Sequence, residues 1–289
     1  MADEQVDAVV GHEPEEESGR SADRSDQAVA LAFGRSLKTL RTRIGMDRET
    51  LGKRLGYSAS TIASFEQGRR IPPPKAVDQA DGVVDAGGLL KEWKEPLEKA
   101  QYPAFFRGMA QLEKEAMELL AYDTLVVNGL LQTEEYTRAL LAMRRPLLDE
   151  ETVEQRVTAR LARQDIFDRR PTPFLSFVMN EAVLRHRYGG KDVLRGQLEH
   201  LLLVGQRRNA EIQIMPTECE ENPGMDGPFM VLTRKDGRKF MYVEVQGISS
   251  LVTDPERTVV AGARYGMIRS QALSPRESLQ FIEKLLGEL

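Results

Sequence analysis

The chain has 289 residues, 41% of them hydrophobic, and a formal net charge of −5 at pH 7. This length exceeds that of one small helical domain and predicts two folded units, each with enough apolar side chains for a core. No apolar run approaches the roughly 18 residues of a membrane-spanning helix, and the acidic first residues do not resemble a signal peptide. We therefore expect a cytoplasmic protein with no membrane association.

The chemistry-bearing residues are few and scattered. A single cysteine excludes an internal disulfide, and the three histidines lie in different segments without the spacing of metal ligands. The chain has no G-x-S-x-G, Walker A or dinucleotide-binding motif. We accordingly predict no metal, no cofactor and no enzymatic activity.

The first segment, residues 1–26, holds nine acidic residues, two arginines and hardly any large apolar side chain. This composition is typical of a disordered arm. The arm could compete with DNA for a basic neighbour, but the interpretation we favour is that it keeps the protein soluble. A first helix is then predicted over residues 28–45, where four apolar side chains recur at helical spacing. They are Phe33, Leu37, Leu40 and Ile44.

Residues 46–71, MDRETLGKRLGYSASTIASFEQGRRI, contain two short helical patterns that meet across Gly56. Gly56 stands where the first of these helices must end in a left-handed residue, and Ser58 can accept a hydrogen bond from the free amides of the second. Gly52 offers the small surface that a close helix crossing needs. The apolar positions, three and four residues apart, face one core: Leu51, Leu55, Ile62 and Phe65. The pattern predicts a helix-turn-helix, whose second helix enters the DNA major groove.

Residues 33–90 resemble the Xre-type domains of the lambda and 434 repressors, on the core L-G-x-x-L-G-x-S-x-x-x-I-x-x-x-E-x-G. The resemblance implies that residues 58–68 form the recognition helix and its exit. It also implies a structural ion pair between Arg41 and Glu66. Arg48 takes the place of a glutamine that binds phosphate in the family. The base-facing positions are Ala59, Ser60 and Ser64, and Gln67 is placed for phosphate.

The base-facing side chains depart from the family, because alanine and serine cannot make the bidentate contacts that discriminate bases by about 1–3 kcal/mol. We expect modest direct readout, with affinity from phosphate contacts and with specificity from DNA shape or a second subunit. Residues 27–71 carry nine basic and three acidic residues, although such charges can also merely solvate a small domain. The predicted DNA-binding set is Arg43, Arg48, Lys53, Ser58, Ala59, Ser60, Thr61, Ser64, Gln67, Arg69 and Arg70.

Two further helices complete the predicted N-terminal domain, residues 27–102. Three prolines at 72–74 end the recognition segment and start a fourth helix, which runs to about residue 84. A fifth helix is predicted over residues 89–99. The domain is therefore all-α with five helices.

The second domain, residues 103–289, mixes helical and alternating patterns. The first helix is predicted from Leu112, Ala116, Leu119 and Leu120, and the others over residues 132–143, 150–169, 180–187, 190–206, 255–271 and 275–287. Strands are predicted over residues 173–180, 211–216, 228–233 and 240–245. The fold class is α+β or α/β, with a central sheet flanked by helices.

Residues 103–287 also resemble a family, the C-terminal domain of actinobacterial antitoxin-like transcriptional regulators of the WhiJ type. Ordered blocks carry the resemblance, among them LEKEAMELLAYDTLVVNGLLQTEEYTRALL, RLARQDIF, MNEAVLRHRYGG and GPFMVL. Asn128 departs from the proline that often precedes GLLQT in the family. The resemblance implies a transcriptional regulator whose gene often lies beside that of a small partner protein, in an arrangement like a toxin–antitoxin pair.

Polar residues in the shared blocks form a candidate ligand or partner site, or else they cap helices and join them by hydrogen bonds, which we expect for most of them. They are Gln132, Thr133, Tyr136, Arg160, Gln164, Glu181, Arg185 and Gln197. The loop at residues 218–229, ECEENPGMDGPF, either meets a basic partner or covers a pocket, or it simply connects two strands.

Three functional hypotheses follow. The first is a sequence-specific DNA-binding transcriptional regulator, repressor-like and autoregulating, that binds a two-fold site in double-stranded DNA as a homodimer and is controlled through its second domain. The second is an antitoxin-like protein whose main role is to neutralise a small partner protein. The third, an enzyme fused to a DNA-binding domain, lacks a catalytic constellation in the sequence.

Overall fold

The computed structural model describes residues 15–100 and 107–289. Contacts within the chain divide it into two compact units, which fall in Met1–Ala104 and Phe105–Leu289. The boundary predicted between residues 102 and 103 lies outside the described residues. The two units are described separately below.

The described part of the N-terminal unit is helical. Its elements are α1 (Glu15–Arg43), α2 (Arg48–Leu55), α3 (Ala59–Glu66), α4 (Pro74–Val83), a 3-10 turn (Lys91–Trp93) and α5 (Lys94–Ala100). One core joins them, because the predicted apolar positions Phe33, Leu37, Leu51, Ile62 and Phe65 are all 0–1% exposed. The described part of this unit is thus helical and contains the predicted helix-turn-helix, whereas Ile44, predicted to belong to the first helix, follows the end of α1 and is 41% exposed.

The first helix differs from the prediction at its start. It is described from Glu15 onward, so residues 15–26, assigned from composition to a disordered arm, are helical, and residues 1–14 lie outside the described residues. No proline occurs between residues 15 and 43. A helix that is packed at its C-terminal end can therefore continue toward the N-terminus without a backbone obstacle.

The turn between α2 and α3 follows the predicted chemistry. Gly56 has φ +79°, and Ser58 caps α3 by accepting a hydrogen bond from Thr61 N at 3.1 Å. A Cβ on Gly52 would lie 2.4 Å from Tyr57 O. Gly52 therefore makes room for the backbone of the turn itself, rather than for the helix crossing that the sequence suggested.

The C-terminal unit is built around a six-stranded mixed sheet with the strand order β3-β2-β1-β4-β5-β6. Strands β1, β2 and β3 are mutually parallel, and β4, β5 and β6 continue the sheet antiparallel from β1. The strands are β1 (Ala116–Asp123), β2 (Phe174–Asn180), β3 (Ala210–Met215), β4 (Phe229–Arg234), β5 (Lys239–Val245) and β6 (Ile248–Val252). The first strand, β1, therefore lies third from one edge of the sheet. Strands β2 and β3 follow on one side of it, and β4, β5 and β6 follow on the other.

Helices cover the sheet. They are α6 (Arg107–Glu115), α7 (Glu134–Ala142), α8 (Glu150–Ala162), α9 (Glu181–Arg185), α10 (Lys191–Val204), α11 (Pro255–Gln271) and α12 (Pro275–Glu288). On one face, Tyr122 and Val178 pack with Tyr265 and Ile268 of α11. In the 3-10 segment Arg163–Phe167 that follows α8, the centroid of the Phe167 ring lies 6.4 Å from that of the Phe177 ring of β2.

Two strands differ from the prediction. Residues 116–120 were expected to be helical, but α6 ends at Glu115 and Ala116–Asp123 is β1 in the interior of the sheet. The error arises because a short buried strand and a buried helix segment share the same apolar composition, so tertiary pairing decides between them. Strand β6, Ile248–Val252, was not predicted, since its two serines break the alternation.

Candidate nucleic-acid interface and C-terminal polar network

Helix α3 turns an apolar side inward and a small polar side outward. Ile62 and Phe65 are buried in the core at 0% and 1% exposure. Ser58, Ala59 and Ser60 are exposed, whereas Thr61 and Ser64 are partly exposed. These five residues are called the recognition surface below. It carries hydroxyls and methyl groups and no charge.

The hydroxyls of the recognition surface are connected to one another. Ser58 Oγ lies 2.8 Å from Ser60 Oγ and 2.9 Å from Thr61 Oγ1, and it also accepts the amide hydrogen of Thr61. Each hydroxyl has both donor and acceptor capacity. The N-terminal turn of α3 therefore presents a hydrogen-bonded set of hydroxyls that can exchange partners with a bound molecule.

An ion-pair triad anchors α3. Arg41 donates from Nε to Glu66 Oε1 at 2.5 Å and from Nη2 to Glu66 Oε2 at 3.2 Å, so the predicted pair is present and bidentate. Arg48 adds a second cation, with Nε 2.8 Å from Glu66 Oε2. The Glu66 side chain is 0% exposed, and the Arg48 side chain is 37% exposed. The carboxylate thus joins α1, the start of α2 and the end of α3 (Glu66).

The role of Arg48 is wider than the sequence suggested. The resemblance placed it at a phosphate, and the structure directs its Nε to Glu66 while more than a third of the side chain stays exposed. Its orientation is therefore fixed by an internal carboxylate. The family position drew attention to Arg48 but did not predict its contact with Glu66. The two residues are 18 positions apart, so no local pattern connects them.

The other predicted phosphate contacts have local partners. Lys53 pairs with Glu49 at 2.7 Å on the surface of α2. Arg69 Nε donates to Gln67 Oε1 at 2.8 Å, which brings these two predicted residues together just after α3. Arg43 Nη2 donates to the carbonyl oxygen of Asp85 at 2.8 Å, in the loop that follows α4. Arg70 is partly exposed.

Two glycines that the sequence reading passed over bring α1 against the recognition helix. A Cβ on Gly34 would lie 2.4 Å from Phe65 O, and one on Gly68, which has φ +68°, would lie 2.6 Å from Leu31 Cα. The signal was available for Gly34, because a glycine inside a helical pattern is unfavourable and usually has a packing reason. The contact positions the end of α3 on α1.

In the C-terminal unit, six of the eight candidate site residues form one hydrogen-bonded network around the segment at residues 127–133. Gln132 is at its centre, donating to Val127 O at 2.6 Å and accepting from Thr137 Oγ1 and Arg160 Nη1 at 3.1 and 2.7 Å. The remaining bonds are Gln164 Nε2 to Gln132 O, Thr133 N to Gln197 Oε1, Gln197 Nε2 to Leu131 O, Tyr136 N to Thr133 Oγ1 and Val127 N to Tyr136 OH. Most of these groups are engaged with backbone.

The other two candidates, Glu181 and Arg185, lie apart from this network. They pair with each other at 2.7 Å across one turn of α9. Glu181 also accepts the amide hydrogen of Thr217 at 3.1 Å. Burial acts to raise the pKa of Glu181, but its hydrogen bonds from Thr217 and Arg185 outweigh that effect and lower it.

Asp123 was not singled out in the sequence, although it follows the buried residues of a central strand. Its carboxylate receives the amide of Asn128 at 3.1 and 3.2 Å. Loss of hydration raises the pKa of Asp123 to about 7, and the Asn128 hydrogen bonds oppose that rise. Burial likewise raises the pKa of Tyr136 to about 12, with Asp123 contributing. The carboxyl end of β1 is therefore a polar site inside an apolar surround.

The acidic loop at residues 218–229 packs against the sheet. Asn222 Nδ2 donates to Tyr122 OH at 3.0 Å, and a Cβ on Gly224 would lie 2.3 Å from the Tyr122 ring. Asp226 pairs with Arg264 of α11 at 3.1 Å. The loop is thus held over the tyrosine near the carboxyl end of β1 by contacts on both sides.

Within the described ranges, no group of three or more histidine, cysteine, aspartate or glutamate residues could hold a metal ion. Across the same part of the chain, no helix combines the length and the apolar character that crossing a membrane demands.

Two family models match the chain. Residues 32–93 match a helix-turn-helix domain, and residues 106–284 match a domain of unknown function, DUF5753. No curated protein and no solved structure matches. The first match contains α2, α3 and their capped turn, and it supports a DNA-binding regulator. The second covers more than half of the 289 residues. The chain therefore belongs to the DUF5753 family and carries a helix-turn-helix domain ahead of that domain.

Proposed function

We propose that the protein is a sequence-specific, repressor-like transcriptional regulator of the Xre type that acts in the cytoplasm and controls its own gene. It binds a two-fold site in double-stranded DNA as a homodimer. The observation that carries the proposal is the exposed recognition surface on α3, which is held in place by the Arg41–Glu66–Arg48 triad.

The chemistry of the recognition surface supports separate sources for specificity and for affinity in DNA binding. Its hydroxyl and methyl groups read bases weakly, with single hydrogen bonds and contacts to thymine methyl groups. The exposed cations around it, including Arg48, Lys53 and Arg69, contact phosphates and give most of the affinity. Specificity then comes from the pairing of two half-sites and from DNA shape.

The C-terminal domain is proposed to be the regulatory part, of the WhiJ type. A small partner protein or a small ligand bound there sets the affinity for DNA. The candidate region is the network around Gln132 and Arg160, where buried polar groups from α8, α10 and the residues 127–133 segment meet. If the partner protein is the main target and DNA binding serves only autoregulation, the protein is an antitoxin, and co-purification of a stoichiometric small protein from the native host would indicate it.

The test is fluorescence anisotropy of the full chain with its own upstream DNA and with a scrambled duplex of equal length, over a salt series. The native duplex should bind more tightly at physiological salt. Arg48→Ala combined with Arg69→Ala should weaken binding to both duplexes and reduce the salt dependence by about two phosphate contacts. Unchanged affinity in the double variant would refute the proposed interface.

The matched control is Arg208→Ala, because Arg208 is an exposed arginine of the C-terminal unit. It should leave DNA affinity unchanged. Since Arg48 also contacts Glu66, thermal unfolding of each variant must show that the helix-turn-helix is still folded.

A further inference from the structure

Arg160 lacks the carboxylate partner that two other withdrawn arginines of this chain, Arg41 and Arg163, have. It is partly buried on α8, and Nη1 donates to Gln132 Oε1 at 2.7 Å. That acceptor is a neutral amide, which already accepts a hydrogen bond from Thr137. No carboxylate among the described residues lies within ion-pair distance of Arg160.

Two withdrawn arginines have a carboxylate partner, whereas Arg169 donates to backbone carbonyls. Arg41 and Arg163, whose side chains are 8% and 10% exposed, each form a bidentate pair with a buried glutamate, Glu66 and Glu113 respectively. This is the expected arrangement, because a desolvated cation is costly unless an anion and hydrogen bonds compensate it. At Arg160 the chain supplies an amide where these other sites supply a carboxylate.

The electrostatic surroundings of Arg160 increase the need for an anion. Burial, together with the neighbouring cations Arg163, Arg144 and Arg156, lowers the pKa of Arg160 to about 10. Glu244 of β5 opposes them from a longer distance, and it accepts the hydroxyl hydrogen of Tyr242 at 3.1 Å. The positive charge at this position is therefore not balanced by a direct partner.

The guanidinium of Arg160 is not completely sealed from solvent. Among residues 15–100 and 107–289, one side-chain nitrogen, His200 Nε2, is both sealed from solvent and without a hydrogen-bond partner. No nitrogen of Arg160 has both properties. The Arg160 nitrogens other than Nη1, for which these residues provide no acceptor, are consequently not sealed in the interior. These nitrogens therefore keep some contact with water.

We propose that Arg160 is the anchor of an anion-binding site in the C-terminal domain, which takes the carboxylate or phosphate group of a small molecule. The planar guanidinium offers two parallel N–H donors that match either group, while Gln132 holds the side chain in position. The exposed Arg144 attracts the anion. The site deepens the ligand-sensing part of the proposed function and rests on that part alone.

The experiment is isothermal titration of the full chain, without DNA, with inorganic phosphate in one arm and citrate in the other, at an ionic strength fixed with chloride. Saturable one-to-one binding of at least one anion is expected, and the stronger arm identifies the class. Arg160→Gln should weaken that binding about tenfold or more, because it removes charge-assisted hydrogen bonds. Arg208→Gln, an exposed arginine outside the cluster, should bind as the wild-type chain does.

Three outcomes overturn the proposal: no saturable binding of either anion, wild-type affinity in Arg160→Gln, or equal weakening in Arg208→Gln. If Arg160→Gln does not fold by circular dichroism, the exposed Arg144→Gln decides instead. This variant should weaken anion binding several-fold, because the positive charge of Arg144 no longer attracts the anion. An unchanged affinity rejects the site. Because no DNA is present, failure here leaves the DNA-binding proposal standing, and the converse also holds.

Discussion

At the scale of single residues, Glu66 connects α1, α2 and α3 through one carboxylate. Its buried carboxylate receives Arg41 and Arg48, so both oxygens are compensated. Such a pair contributes little net stability over an apolar replacement, but removing one partner leaves uncompensated charge in the interior. The triad is therefore a point where a conservative change has a large effect.

Glu66→Gln should lower the free energy of unfolding of the N-terminal unit by about 3–5 kcal/mol, because Arg41 would remain buried opposite a neutral amide. The single tryptophan, Trp93, packs against the core of this unit, so its fluorescence in urea reports the transition. The control is Glu49→Gln, which removes an exposed pair with Lys53 and should cost at most about 1 kcal/mol. Equal effects of the two changes would contradict the structural role of the triad.

Asp123 gives a second prediction at this scale. Its pKa is raised to about 7 in the folded protein, from the ordinary value of 3.8 for an aspartate. The folded chain holds the proton longer than the unfolded chain, so stability falls as pH rises between these two values and then levels off. Asp123→Asn removes this loss, and the variant should gain stability relative to the wild-type chain as pH rises.

The measurement is urea unfolding followed by far-UV circular dichroism at about pH 5 and about pH 8. The difference between Asp123→Asn and the wild-type chain should be larger at the higher pH. Carboxyl carbon NMR titration adds an internal control, since Asp149 caps α8 and its hydrogen bonds with Thr152 lower its pKa. The raised pKa of Asp123 would be refuted if the stability difference between the variant and the wild-type chain did not depend on pH. It would also be refuted if Asp123 and Asp149 titrated over the same pH range.

At the scale of elements, the recognition helix is positioned by backbone contact as well as by side chains. Gly34 lets α1 approach the last carbonyls of α3, and Gly68 lets the chain leave α3 beside Leu31. Only a residue without a Cβ allows this separation. The position of the recognition surface therefore depends on a glycine in a different helix, 24 residues before Ser58.

Gly34→Ala should destabilise the N-terminal unit by roughly 1–3 kcal/mol, although alanine is the better helix former, because the new methyl would meet Phe65 O. Gly82→Ala is the matched control. Gly82 lies within α4, and a Cβ there would meet nothing within 4 Å. That change should be neutral or stabilise by up to about 1 kcal/mol. Trp93 fluorescence measures both, and a stabilising Gly34→Ala would exclude the close contact.

At the scale of the whole molecule, the proposed function calls for a two-fold site, because a small uncharged surface is expected to discriminate bases poorly. Half-sites of a helix-turn-helix dimer lie about 10–10.5 bp apart, one turn of the duplex. Each subunit then adds its phosphate contacts on the same side of the DNA. The weak chemistry of Ala59, Ser60 and Ser64 makes this spacing more important than the bases themselves.

Once the operator is mapped, inserting about 5 bp between its half-sites should abolish tight binding, because the second half-site turns to the opposite side of the duplex. Inserting about 10 bp should return both half-sites to the same side of the duplex and restore part of the affinity. Electrophoretic mobility shift at one salt concentration measures the series. Affinity that is indifferent to the insertion would indicate a monomer, or binding through phosphates alone.

The sequence by itself determined the local features of this protein. Helix periodicity, the left-handed Gly56 and the Ser58 cap predicted α2, the turn and α3, since these depend on residues only a few positions apart. Four strands and most helices of the C-terminal unit were likewise readable from alternation and spacing. The Arg41–Glu66 pair came from the family resemblance rather than from the residues alone.

Tertiary structure decided what depends on distant partners. Ala116–Asp123 became a strand because β2 and β4 pair with both of its edges, against a pattern that also fits a helix. The second cation on Glu66, the contact of Gly34 with α3 and the desolvation of Asp123 and Arg160 all join residues far apart in the chain. Burial, close approach and charge compensation are properties of the folded chain, and a linear pattern does not contain them.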